Sequence, residues 1–215
     1  MASGAERLAD LLSPEPVQPT DEDDFSHKHG DLKEEDLTPA AVLIAIVPRA
    51  SGQHVLLTQR PDYLHDHPGQ ISFPGGRMEA EDVSPAHTAL REAWEEIGLA
   101  PELVRIVGYL PDYRTATGFL IHPAVAWVEP PFSLVADAFE VAEVFEAPLV
   151  DIFDPAHHRR EHIFYRGREH RFHVIECVTE DGIRRRIWGA TAGMLLALKR
   201  VLRTAMKNRF EDRRL

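Results

Sequence analysis

Residues 74–99, PGGRMEAEDVSPAHTALREAWEEIGL, constrain the chain more than any other stretch. A glycine pair leads into a polar loop, and Ser84-Pro85 then opens a run with helical spacing. Serine suits a helix N-cap and proline the first helical position. Gly98 suits the residue that closes a helix. A helix is therefore expected from about 84 to Ile97. Leu90, Trp94 and Ile97 fall on one apolar face, flanked by Ala86 and Ala93, so that face is expected to dock on a core.

The same helix carries Glu92, Glu95 and Glu96 at i, i+3 and i+4, so three carboxylates leave from one side. Like charges at that spacing destabilise a helix by roughly a few tenths of a kcal/mol per pair. A hard divalent cation removes the repulsion, because Mg²⁺ takes oxygen ligands and keeps waters or phosphate oxygens in its remaining positions. Arg91 can pair with one carboxylate and fix its rotamer. Gly75 and Gly76 let backbone approach the helix closely, and the Gly75 carbonyl is a further candidate ligand. A solvated acidic face is the alternative that three glutamates alone leave open.

Around this segment the chain reads as one α+β domain. AAVLIAIVP (40–48) is a continuous apolar run expected to form a buried strand, and HVLLTQ (54–59) a second one after the Ser51-Gly52 turn. QISFPGG (70–76) reads as a short strand entering the glycine loop. Strands are expected near 103–113 and 118–128, short helices at 137–144 and 149–153, and a hairpin of 162–166 with 171–178. Ala190–Met206 carries Leu195, Leu198 and Leu202 at helical spacing, so a docking helix closes the domain. The order implies a mixed sheet with covering helices.

Composition narrows the classes. Of the net charge of -11, residues 1–40 hold 11 acids and 3 bases, while 199–215 hold 7 bases and 2 acids. The expected organisation is an acidic, flexible tail over 1–39, a domain over 40–206 and a basic tail over 207–215. An acidic domain shows no footprint for nucleic acid. No apolar run is long enough for a membrane span, and no secretory leader is recognisable, so a cytoplasmic setting is expected. The single cysteine, Cys177, excludes an intramolecular disulfide.

The pattern in 76–99 resembles the Nudix box, G-x5-E-x7-R-E-U-x-E-E-x-G-U. Arg91-Glu92-Ala93-Trp94-Glu95-Glu96-Ile97-Gly98-Leu99 fits its second half. The first half carries one extra residue, 14 rather than 13 between Gly76 and Arg91, so Glu81 and Asp82 are both stand-ins for the first acid. Upstream, LLTQRPDYLHDHPGQISFPGG (56–76) is similar to the LLTxRSxxxRxxxGxxxFPGG motif of the coenzyme A pyrophosphatase branch. Pro61 replaces its serine and His65 its second arginine.

The resemblance implies a Nudix-type α/β/α sandwich with a mixed central sheet and flanking helices. It implies metal-dependent hydrolysis of a pyrophosphate bond, with Mg²⁺ or Mn²⁺ as cofactor. CoA or acyl-CoA is the first substrate class; ADP-ribose, NADH, a nucleoside triphosphate or a non-catalytic binding role are the alternatives. The partner is a small CoA-like nucleotide, and a homodimer is an allowed assembly. Glu92 and Glu96 are expected as metal ligands, with Glu95 as a further ligand or base and Gly75 as a carbonyl ligand. Arg91 is counted with the catalytic residues. An acid outside the box is sought at Glu140 or Glu143, with Glu143 preferred. Arg60, His65, Phe73 and Gly76 are expected to meet substrate, and Tyr63 and Phe119 are further pocket candidates.

Overall fold

The computed structural model describes residues 3–18, 34–63, 68–165 and 168–211. In chain order it holds α1 (Gly4–Ala9), β1 (Thr38–Arg49), β2 (Gly52–Gln59), β3 (Ile71–Ser72), β4 (Gly75–Arg77) and α2 (Pro85–Ile97). There follow β5 (Val104–Tyr109), β6 (Tyr113–Arg114), β7 (Phe119–Val128), β8 (Glu143–Pro148) and α3 (Leu149–Phe153). The chain ends through β9 (His158–Tyr165), β10 (Arg168–Val178), β11 (Arg184–Trp188) and α4 (Gly189–Glu211).

β1 is the centre of a mixed sheet ordered β3-β2-β1-β7-β5. It pairs parallel with β7 and antiparallel with β2 and β4, while β8 pairs with β2. Both faces of β1 are covered, which is why AAVLIAIVP is apolar throughout instead of alternating. Ala41, Leu43, Ala45 and Val47 face α2, where Ala89, Ala93 and Ile97 meet them. Ile44 and Ile46 face the other way, into a core shared with Leu195 and Leu198 of α4. β9, β10 and β11 form a separate antiparallel sheet over that second face. The expected α+β sandwich, a mixed sheet between helical layers, is what the chain forms.

Several elements differ from expectation. Trp94 is 54% exposed. The stripe that docks is Ala89, Ala93 and Ile97, since small side chains let the helix lie close on the sheet. Residues 143–148 are a strand, not the end of a helix. Their alternation sends Phe145 and Ala147 to the α4 side and Val144 to the α2 side. The 1–39 tail is also corrected in part. Ala5 and Leu8 of α1 are buried in the core, and the backbone of Ser13 and Val17 bonds to Tyr109 and Asp112. Residues 19–33 lie outside those described. α4 runs through position 206 to Glu211, so the helix does not stop where the basic tail was expected to start.

Candidate active site

α2 is built as its sequence requires. The Ser84 hydroxyl accepts from the His87 N–H, Pro85 fills the first turn, and Gly98 closes the helix in the left-handed region at φ 65°. Beside it, β4 brings in the glycine pair. Gly75, at φ 157°, lies against the backbone of Ala41 and Val42, and a Cβ there would come 2.7 Å from the Val42 Cα. A Cβ on Gly76 would come 2.7 Å from Glu92 Oε2. Both glycines are thus needed for contact, one with the strand and the other with a glutamate.

Arg91 organises the carboxylates. Its Nε and Nη2 donate to the two oxygens of Asp82 at 3.2 and 3.0 Å. Its Nη1 donates to Glu92 at 2.9 Å and Glu95 at 3.0 Å, and Nη2 also reaches the Arg77 carbonyl at 3.2 Å. These contacts use all five N–H donors of a guanidinium. The arginine counted among the catalytic residues is therefore spent on holding acids in place.

Asp82 is the acid that its fork selects, and Glu81 stays exposed. The Asp82 side chain is 1% exposed and also accepts from Thr88 Oγ1 and the Glu79 N–H. The hydrogen bonds from Arg91 are the largest influence holding its carboxyl far below the usual range. The extra residue in the loop is thus absorbed without losing the acid.

Glu96 is buried, and its Oε2 accepts from the Gly75 N–H at 3.3 Å. Burial pushes its carboxyl up to about 8; the Gly75 N–H and Arg60 oppose the rise, while Glu92 and Glu140 add to it. Glu92 is also raised, first by burial, against the pull of Arg91. Among the described residues no three acid, histidine or cysteine side chains close around a point as a finished cage. The carboxylates line a face instead, held by Arg91 and Gly75. That donor set fits a hard cation, which needs oxygen ligands and leaves room for waters and phosphate oxygens. A divalent ion would also relieve the repulsion that Glu92 and Glu140 impose on Glu96.

The outer acid is corrected. Glu143 sits on β8 on the same side as Phe145 and Ala147, away from α2. Arg185 grips it with both terminal nitrogens at 2.6 and 2.7 Å. It borders a cavity of about 480 Å³ with Glu146, Glu180 and Asp181, where each of these acids has an Arg, Ser or His partner. Glu140 is the acid that acts on Glu92 and Glu96, from the exposed turn before β8. The choice turned on whether 143 lay on a helix or a strand. Arg185, the partner that holds Glu143, carried no recognised signal within GIRRRIW.

Phe73 is corrected too: it is 3% exposed and packs in the core on the α4 side, so it cannot line the glutamate face. Phe119 lies under the Arg77 guanidinium at 5.5 Å. Arg60 is linked to the site by its charge. It acts on Glu96 electrostatically, and its buried Nε has no hydrogen-bond partner among the described residues. His65 lies outside the described residues.

A Gly-led loop, an acidic helix and an arginine clasp in this order define a class, and comparison with known proteins agrees. Residues 37–161 match the model of the NUDIX domain, and the chain belongs to that family. It is 38% identical over 159 residues to the protein named uncharacterized Nudix hydrolase NudL of Enterobacter sp. (strain 638). It is 40% identical over 159 residues to the one of the same name in Citrobacter koseri. Both matches cover 74% of this chain and 80% of the relative. Among solved structures it is similar in fold to a MutT/nudix family protein from Enterococcus faecalis. The TM-score is 0.50 at 16% identity, over 80% of this chain and 64% of that one. The chain is thus a Nudix pyrophosphohydrolase. Among the described residues no helix is long and apolar enough to cross a membrane.

Proposed function

We propose that the enzyme cleaves the pyrophosphate bond of CoA or acyl-CoA, releasing 3′,5′-ADP and 4′-phosphopantetheine or its acyl form. The carrying observation is Arg60. It comes from the upstream segment that resembles the CoA branch, its charge acts on Glu96, and it carries a buried donor left unmatched. An anionic oxygen of the substrate supplies what that donor lacks.

In this reading Glu92 and Glu96 hold Mg²⁺ or Mn²⁺, with Glu95 as a further ligand. When bound, the metal neutralises the diphosphate and acidifies a water. Arg91 keeps Glu92 and Glu95 in their rotamers, and Asp82 keeps Arg91. Glu140 takes the outer-acid role in place of Glu143, where an exposed carboxylate can receive a proton from the attacking water. Gly75 holds Glu96 through its N–H. Arg60 and Gly76 border the diphosphate. Replacement of the motif's second arginine by His65 favours a second reading, a Nudix diphosphatase for ADP-ribose or NADH, since a histidine is mostly neutral at pH 7.

The test is Mg²⁺- or Mn²⁺-dependent release of 3′,5′-ADP from CoA, measured beside ADP-ribose and NADH. CoA is expected to give the highest kcat/KM, and Glu96→Gln to lower kcat by several orders of magnitude with unchanged circular dichroism. CoA turnover no better than that of Glu96→Gln would overturn the proposal.

A further inference from the structure

Two aromatic rings stand in solvent, one of them on the loop whose backbone is bonded to the end of α2. Tyr63 is 71% exposed and Phe139 is 81% exposed. Rings so open forfeit the burial that aromatic side chains ordinarily gain, and a cluster of them marks a contact surface. Both residues are tied to neighbouring chain by hydrogen bonds. The Tyr63 hydroxyl donates to the Ala138 carbonyl at 2.8 Å, joining the two stretches of chain that carry the rings. The loop of Phe139 is fastened to the end of α2 by Val135 N–H to Ile97 and Asp137 N–H to Glu96, each at 2.9 Å. Ala142 N–H ties it to Gln59 of β2, and the Phe139 N–H itself donates to Asp137 Oδ1.

The next residue after Phe139 is Glu140, which acts on Glu92 and Glu96. Phe139 is thus the chain neighbour of the acid that acts on the two glutamates assigned to the metal, and Tyr63 is joined to the same loop through the Ala138 carbonyl. We propose that Tyr63 and Phe139 form a stacking platform for the purine base of the substrate, a reading that rests on the diphosphatase assignment for the position of the phosphates. A base suits this surface better than an aliphatic arm. Its face stacks on a ring, while its polar edges tolerate a rim that carries Asp62, Asp137 and Glu140. An acyl or pantetheine chain would need an apolar trough, and both rings instead lie open to water.

The test compares 5′-AMP with ribose 5-phosphate, which differ by the base, by calorimetry on the full chain with Mg²⁺. The parent is expected to bind AMP about tenfold more tightly. Phe139→Ala and Tyr63→Ala are expected to shrink that ratio to about twofold or less while leaving ribose 5-phosphate affinity unchanged. Val150→Ala, an exposed apolar site on α3, is expected to keep the full ratio, and all three variants to unfold at the parental midpoint. A parent without preference for AMP, or variants that retain it, overturns the platform. So does a loss of 4′-phosphopantetheine binding in the variants with AMP binding intact. If CoA and ADP-ribose are not hydrolysed but the AMP preference behaves as stated, the diphosphatase reading fails and the platform stands.

Discussion

At Asp82 and Arg91 a nearly closed ion pair does the work of a fastener. Asp82 is almost wholly desolvated, so removing its charge strands the guanidinium that it faces. Asp82→Asn is expected to cost roughly 3 kcal/mol of stability, read as a lower urea midpoint. Because Arg91 would then release Glu92 and Glu95, Mg²⁺ affinity should fall in the same variant. Glu96 behaves in the opposite sense. Its carboxyl is raised from 4.5 to about 8 in the folded chain, so the folded state holds that proton more tightly than the unfolded one. Without metal, the stability owed to this group is whole below pH 4.5 and is lost as pH rises toward 8. Urea unfolding in EDTA at pH 5 and pH 9 should show this loss in the parent and not in Glu96→Gln. Cation binding must expel the same proton, so the apparent Mg²⁺ affinity should climb from pH 6 to pH 9 in a calorimetric titration.

At the scale of elements, the two glycines of β4 divide structure from function. A Cβ at position 75 meets strand backbone and must also adopt a left-handed φ, whereas one at position 76 meets only the end of a glutamate side chain. Gly75→Ala is therefore expected to lower the melting temperature by several degrees. Gly76→Ala should melt close to the parent yet lose most of its stabilisation by Mg²⁺. A thermal-shift series with and without the ion separates the two. The elements also show what sequence can convey. Ser84, Pro85 and Gly98 are local signals, and α2 begins and ends where they place it. The glutamate triad follows from helical spacing alone. Glu143 and Glu140 could not be ranked that way, because EVAEVF carries both helical spacing and strand alternation. Pairing with β2, a contact some 90 residues away in sequence, decides between them. Trp94 was misplaced because helical spacing identifies an apolar stripe but not how near the sheet lies.

For the whole molecule, the central layer was readable because β1 is apolar on both faces. Its flanks were readable in part: α2, α3, α4 and the hairpin of β9 with β10 form where expected, whereas two other pieces were hidden. β11 is hidden within an arginine-rich run, and the packed part of residues 4–17 is masked by acidic neighbours. That segment follows β5, the last strand of the sheet order, where Tyr109 N–H donates to the Ser13 carbonyl at 2.8 Å. An uncovered strand is a template for pairing with another chain. Deleting residues 1–18 should lower the melting temperature and raise the oligomeric fraction on size exclusion, while preserving Mg²⁺ binding at α2.

The same strap has a consequence in time. Ser13 and Leu8 are made long before Tyr109 and Trp127 exist, so on a growing chain they have nothing to dock against. Closing so long a loop is slow to repay its entropy, which favours docking after the sheet has assembled. Contacts made that late weigh on the rate of escape from the native state more than on the rate of reaching it. In stopped-flow experiments Leu8→Ala is expected to steepen the loss of native protein in urea while its refolding rate stays near that of the parent.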